Sequence, residues 1–200
     1  VTDEGRTRLY LVRHGETEGA PDRFYGWTDV ALSQAGRMRM LRLADRLMGQ
    51  GVSELFCSPL RRARESADVL ATRLDIGLTV CPELREWNFG RWEGLAYAEV
   101  AARYPEDVAA RQRDRVGFRF PGGETLADLD DRVTKWMAAL VERCRGEAVG
   151  IVAHGGVNRV ILCRALGMPL EHLLRIEQDF SCLNIVDYFP DDTLVRLING

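Results

Sequence analysis

Lysine is almost absent from this chain. Lys135 is the single lysine in 200 residues, and arginine carries every other one of the 27 basic side chains. Arginine stays protonated at any working pH and holds phosphate oxygens in a planar fork, so each arginine near a candidate site bears weight. A surplus of one charge sign is also missing. Thirty acidic residues against 27 basic ones leave a formal net charge of −3, which gives no electrostatic footprint for nucleic acid or for an anionic membrane. No apolar run is long enough to span a bilayer, so no membrane partner is expected. The opening Val1-Thr2-Asp3-Glu4-Gly5 lacks the basic and then apolar profile of a secretory signal, and a cytoplasmic chain is the expectation.

Paired cysteines are lacking too. Cys57, Cys81, Cys144, Cys163 and Cys182 are odd in number and scattered, with no CxxC or Cys/His cluster at zinc-ligand spacing. Buried free thiols are expected, and no metal site. Linkers, composition shifts, internal repeats and low-complexity runs do not occur. One domain over 1–200 is therefore expected, and 46% hydrophobic side chains suffice for one sizeable core.

The elements that remain alternate. Arg8 to Val12 reads as a short strand. Ser33 caps a helix to about Gln50, with Met40, Leu43, Ala44 and Leu47 on one apolar stripe and Gly51 at its stop. A strand follows from about Val52 to Cys57. Ser58 as N-cap and Pro59 as N1 then open a helix to about Leu74. Leu78 to Cys81 reads as a third strand. Short helices are predicted around Ala96–Tyr104 and Pro105–Arg115. After the Pro121-Gly122-Gly123 turn, Thr125 with Asp128 caps a long helix ending near Arg145. Ala148 to Ala153 reads as a strand buried on both faces. A helix from about Val157 to Leu166 and terminal strands near Asn184–Tyr188 and Leu194–Ile198 close the chain. Alternating strands and helices predict an α/β sandwich with a mainly parallel sheet and at least one antiparallel edge strand.

Ligands of such sheets gather beyond the carboxyl ends of the strands. The first strand ends in Arg13-His14-Gly15, the second in Ser58-Pro59-Leu60-Arg61-Arg62, and the 148–153 strand in His154-Gly155-Gly156. Two of the three histidines thus fall at strand ends and precede glycine, which leaves backbone N–H groups open to an anion. The positive end of the helix after Gly156 points toward the same crevice. Two imidazoles with Arg13 and Arg62 have the chemistry of phosphoryl recognition, since a neutral imidazole attacks phosphorus while arginine holds the equatorial oxygens. A carboxyl group must protonate the departing alkoxide, and Glu83 and Glu86 are available. Of the two, Glu86 lies among aromatic and arginine neighbours. The plain alternative is two capping histidines and surface arginines.

Leu11-Val12-Arg13-His14-Gly15-Glu16-Thr17 resembles the signature of the histidine phosphatase superfamily, which includes the cofactor-dependent phosphoglycerate mutases. The resemblance continues in order through Arg23-Phe24-Tyr25-Gly26-Trp27-Thr28-Asp29, Leu32-Ser33, Ser58-Pro59-Leu60-Arg61-Arg62-Ala63, Leu84-Arg85-Glu86 with Phe89-Gly90, Pro121-Gly122-Gly123-Glu124-Thr125 and Val152-Ala153-His154-Gly155-Gly156. It implies a three-layer α/β/α sandwich with a small helical cap over about 92–120. By the same resemblance His14 is the nucleophile that becomes a phosphohistidine. Arg13, Arg62 and His154 hold the phosphoryl oxygens, and Glu86 is the general acid and later base. Thr17, Tyr25, Gly26 and Gly155 line the phosphate or substrate pocket. No metal and no cofactor are implied, because the cationic groups neutralise the phosphate. The implied partner is a small-molecule phosphate ester. Family members are often dimers, which leaves a homodimer open, although no sequence feature fixes an interface.

Two departures favour a phosphatase over a mutase. Mutases of this family carry Trp-Asn shortly after the signature, where this chain has a shorter Gly19-Ala20. They also carry a longer insertion after the glutamate loop, with added lysine and arginine. Here Trp92 to Phe120 is short and without lysine, although Arg103, Arg111, Arg113, Arg115 and Arg119 are present. A shorter cap admits water and favours hydrolysis. The overall spacing looks similar to bacterial α-ribazole phosphatases and to broad-specificity phosphatases. A mutase, or an inactive member that serves as a phosphate-ligand scaffold, are the other readings. His172 and Arg61 read as structural or solvated, and Glu124 as a turn or first-turn helix residue. Trp27, Trp87, Phe118 and Phe120 read as packing between cap and sheet or as an apolar wall for the substrate.

Overall fold

The computed structural model describes residues 5–20 and 22–200. Six strands, β1 (Thr7–Arg13), β2 (Val52–Cys57), β3 (Gly77–Val80), β4 (Ala148–Ala153), β5 (Leu183–Tyr188) and β6 (Thr193–Leu197), form one sheet in the order β3-β2-β4-β1-β5-β6. The first four in that order are mutually parallel, whereas β5 and β6 run antiparallel to their neighbours. β1 and β4 occupy the centre, paired from Arg8 with Ala148 to Arg13 with Ala153.

Alternation along β1 divides the core between two faces, as the period of two requires. Leu9 and Leu11 pack into a cluster with Leu129, Val133, Met137 and Leu140 of α5 (Leu126–Arg143) and Val157, Val160 and Ile161 of α6 (Gly155–Ala165). Tyr10 and Val12 face the other side. There they meet Met40, Leu43 and Leu47 of α1 (Gln34–Leu47) and Ala63, Ala67 and Leu70 of α2 (Arg61–Leu74). The result is the expected α/β/α sandwich. The helix after β1 lies on one face and the helix after β4 on the other, so a crevice opens between two neighbouring strand ends.

Caps explain where the helices begin. Ser33 Oγ accepts from Gly36 N at 3.0 Å, as expected for α1. Thr125 and Asp128 form a reciprocal capping box on α5, at 2.8 and 3.0 Å. Ser58 behaves differently from the sequence reading. α2 starts at Arg61, its N-cap is Leu60, and no side chain caps it. The Ser58 hydroxyl lies instead 2.7 Å from His154 Nε2 while accepting from Leu60 N at 3.3 Å. α6 starts at Gly155, two residues earlier than the apolar pattern suggests, because His154 in extended conformation is its N-cap.

The cap segment holds α3 (Tyr97–Arg103) and α4 (Pro105–Arg113), close to the predicted spans. Trp92 and Phe120 of this segment, with Trp87 just before it, are buried, and Phe120 meets the other two rings edge to face at 5.1 and 4.9 Å. Trp27 departs from the packing expectation. It is 40% exposed, and its Nε1 donates to the Glu86 carbonyl at 2.8 Å. All five cysteines are free and buried. No described helix is long and apolar enough to cross a membrane.

Candidate active site

Parallel pairing of β1, β4 and β2 sets three chain exits side by side. His14 N donates to Ala153 O at 2.9 Å and Ser58 N to Val152 O at 3.1 Å, so the ladder continues one residue past each strand. Residues 140 positions apart thereby become neighbours. The His14 and His154 rings stand 5.1 Å apart between centroids, at an interplanar angle of 61°.

Each imidazole is held by a specific partner. His14 Nδ1 donates to the Gly15 carbonyl at 2.8 Å. A carbonyl only accepts, so the ring proton sits on Nδ1 and Nε2 keeps its lone pair. That Nε2 accepts from Arg62 Nε at 3.3 Å. His154 is 0% exposed, and its Nδ1 is a buried atom without a hydrogen-bond partner. Burial drives both imidazole pKa values well below the ordinary 6.5, and the nearby Arg62 and Arg13 push them further down. Both rings are therefore neutral at neutral pH.

Arg62 is 1% exposed and is held from behind by carbonyls. Nη1 donates to Thr28 O at 2.9 Å, and Nη2 donates to Tyr25 O at 3.0 Å and Gly26 O at 2.7 Å. The turn that presents these carbonyls is wound around Glu93. Glu93 accepts from Gly26 N (3.1 Å), Trp27 N (2.8 Å), Thr28 N (3.0 Å) and Phe89 N (3.1 Å), and from the Thr28 hydroxyl. Gly26 is required there, because a Cβ would lie 2.1 Å from Trp87 O and 2.4 Å from Glu93 Oε1. Gly26 acts from behind the pocket wall, through its carbonyl, and is not a lining residue as the resemblance implied.

Arg13 lies over the Phe180 ring at 4.0 Å and donates through Nη1 to the Gln178 carbonyl. The Gln178 side chain is tied to Asn184 (2.7 Å) and Asn158 (3.1 Å), so a buried amide network braces this arginine. Arg13 Nε is buried with no partner. Desolvation lowers the pKa of both guanidinium groups, and the Glu86 carboxylate opposes that effect in each.

Glu86 reaches the crevice from the loop after β3. Its Oε2 accepts from Gly156 N at 3.0 Å, at the positive end of α6, and its Oε1 from Trp87 N at 2.8 Å. Gly156 permits this approach, since a Cβ there would sit 2.3 Å from Glu86 Oε1. The loop is fixed by Arg132 of α5, which donates to Glu86 O at 2.9 Å and pairs with Glu124 at 2.9 Å. Glu124 in turn accepts from Asn88 N at 3.0 Å. A residue that sequence reading left as a plain turn residue is thus a clamp on the glutamate loop.

One cavity of about 280 Å³ is lined by Arg13, His14, Thr17, Tyr25, Arg62, Glu86 and Gly155 among others, whereas His154 is fully buried and not part of that lining. Sequence reasoning did not single out Arg159 or Phe180, and named Arg111 only as one arginine of the cap. All three line the same cavity. Arg159 sits one turn beyond Gly155 on α6 and was findable from the helix period; nothing local marked Phe180.

The chain matches the histidine phosphatase superfamily (branch 1) over residues 9–200, and it belongs to that family. It is 33% identical over 196 residues to a bifunctional protein of Mycobacterium tuberculosis, covering 96% of this chain and 54% of that protein. The chain therefore spans about half the length of that relative. Identity to the adenosylcobalamin/alpha-ribazole phosphatase of Escherichia coli K12 is 28% over 194 residues, 96% of each chain. Among solved structures, the mycobacterial glucosyl-3-phosphoglycerate phosphatase superposes with a TM-score of 0.86 at 26% identity, covering 98% of this chain and 99% of that one.

Proposed function

We propose that this chain is a metal-independent phosphomonoesterase that hydrolyses a small phosphorylated metabolite through a phosphohistidine. The observation that carries this reading is a pair of neutral, buried imidazoles 5.1 Å apart, of which His14 lines one cavity with Arg13, Arg62 and Glu86 while His154 is fully buried against it. The charge count is balanced. Two guanidinium groups match the two negative charges of a phosphate monoester, so the transferring group is neutralised by protein alone.

The substrate's phosphoryl group enters among Arg13, Arg62, His14 and His154, with Thr17, Tyr25 and Gly155 around it. With the Ser58 hydroxyl donating to His154 Nε2, the proton of that ring sits on Nδ1 as a donor to a phosphoryl oxygen. His14 Nε2 attacks phosphorus in line. The N–P bond forms as the bond to the leaving oxygen breaks, and protonated Glu86 gives its proton to that oxygen. In the second half, the Glu86 carboxylate takes a proton from water as the water oxygen attacks phosphorus. The N–P bond breaks, inorganic phosphate leaves, and His14 and protonated Glu86 are restored. The Gly15 carbonyl stabilises the Nδ1–H throughout, including the state in which the phosphorylated ring carries positive charge.

α-Ribazole 5′-phosphate is the finer substrate candidate, supported by similarity to alpha-ribazole phosphatases in sequence and in structure. The activity itself is tested by phosphate release from p-nitrophenyl phosphate in excess chelator. Turnover undiminished by the chelator is expected. A flat trace would contradict the reading, and so would interconversion of phosphoglycerates without free phosphate.

A further inference from the structure

Arg62 and Glu86 reach the cavity from different parts of the chain, the start of α2 and the loop after β3. One carboxylate joins the backbone behind both. Glu93 Oε1 accepts from Trp27 N and Phe89 N, and Oε2 accepts from Gly26 N, Thr28 N and the Thr28 hydroxyl. Every partner is a donor, which suits a carboxylate and no other side chain of that length. Glu93 itself does not line the cavity.

The turn wound around Glu93 sends its carbonyls the other way. Tyr25 O, Gly26 O and Thr28 O accept from the two Nη atoms of Arg62, while its Nε donates to His14 Nε2. Among the described residues these bonds take all but one N–H of the guanidinium, which leaves one on Nη1 for a phosphoryl oxygen. The aim of that group follows from where the three carbonyls stand. The same turn touches the acid, since the Trp27 indole donates to the Glu86 carbonyl at 2.8 Å. Gly94 N to Phe24 O at 2.8 Å and Phe24 N to Leu95 O at 3.0 Å close the seam between the two segments. Burial weighs against the charged form of Arg62, and the Glu86 and Glu93 carboxylates favour it.

We infer that Glu93 is a positioning residue for the phosphoryl transfer, holding the 25–28 turn so that Arg62 meets the phosphoryl oxygens beside His14. This rests on the phosphomonoesterase reading and deepens it. Glu93 acts through Arg62 and not as a general prop of the fold.

Glu93→Gln keeps the length but sets an NH₂ group against at least two N–H donors, so the turn must shift. A displacement of about 1 Å at Arg62 is expected to cost about 10²-fold in kcat, with KM within about threefold. The deciding measurement is a double-mutant cycle with Arg62→Met, read on p-nitrophenyl phosphate. Beside Arg62→Met, Glu93→Gln is expected to cost less than about threefold in kcat. Thr28→Val deletes only the hydroxyl's bond to Glu93 and serves where circular dichroism shows Glu93→Gln unfolded. Its expected loss is about fivefold, again absent beside Arg62→Met. Undiminished kcat in the folded variant, or an equal loss in both backgrounds, would overturn the inference. A wild type that releases no phosphate would defeat the phosphatase reading, and the cycle is then read on orthovanadate affinity by calorimetry. A loss of about tenfold or more that needs Arg62 would leave the positioning role standing. No loss, or an equal loss without Arg62, would defeat that role too.

Discussion

His14→Ala is expected to lower kcat on any phosphate ester by about 10⁴-fold or more, because it deletes the atom that forms the covalent bond. The loss should fall on kcat. Arg13, Arg62 and His154 still present their donors to the phosphoryl oxygens, so ground-state binding of phosphate persists. Folding should survive as well, for the ring's only hydrogen bonds are to its neighbour's carbonyl and to Arg62, and its other contacts are with the His154 and Phe180 rings. Acid stability supplies a separate readout. Both buried histidines hold folded-state pKa values well below 6.5, so as pH falls through 6.5 the unfolded chain takes up protons first. Stability that is complete at neutral pH is then lost, at up to about 1.4 kcal/mol per pH unit for each histidine. The variant keeps only the His154 share. Chemical denaturation between pH 7 and 5 should show a shallower loss for His14→Ala than for the wild type. A variant with ordinary turnover would remove His14 from the mechanism.

Arg62→Met is expected to cost about 10³-fold in kcat, the scale on which a positioned guanidinium acts in phosphoryl transfer. The stability effect is a contest. Removing a buried cation relieves its desolvation, while the carbonyls of Tyr25, Gly26 and Thr28 lose their donors. Three abandoned acceptors outweigh one relieved charge, and a net loss of about 2 kcal/mol follows. Arg62→Lys should not restore activity, since an ammonium group lacks the planar fork that spans two carbonyl directions and His14 at once. Steady-state kinetics with a denaturation series checks both halves. Retention of a tenth of wild-type kcat in either variant would contradict the assignment.

The convergence of His14, His154, Arg13 and Arg62 was legible because their positions are local. A histidine followed by glycine at the end of an apolar strand is a pattern of a few residues, and strand ends converge in any parallel sheet. Layer architecture was legible for the same reason, from the switch between periods of two and 3.6. What escaped was long-range. Glu93 looks like any glutamate of a loop, and its role exists only because residues 26–28 fold around its carboxylate. Ser58 before Pro59 reads as a helix start, yet its hydroxyl is drawn to His154, 96 residues away. Glu124 acts through Arg132, two turns into α5. The tautomer of His14 depended on a carbonyl whose direction no sequence pattern states.

One labelling measurement reaches the centre of the account. Wild-type protein mixed with a ³²P-labelled phosphate ester and quenched in alkali should carry acid-labile, base-stable phosphate on the peptide containing His14. Label on the His154 peptide, or turnover with no labelled protein at any quench time, would contradict it.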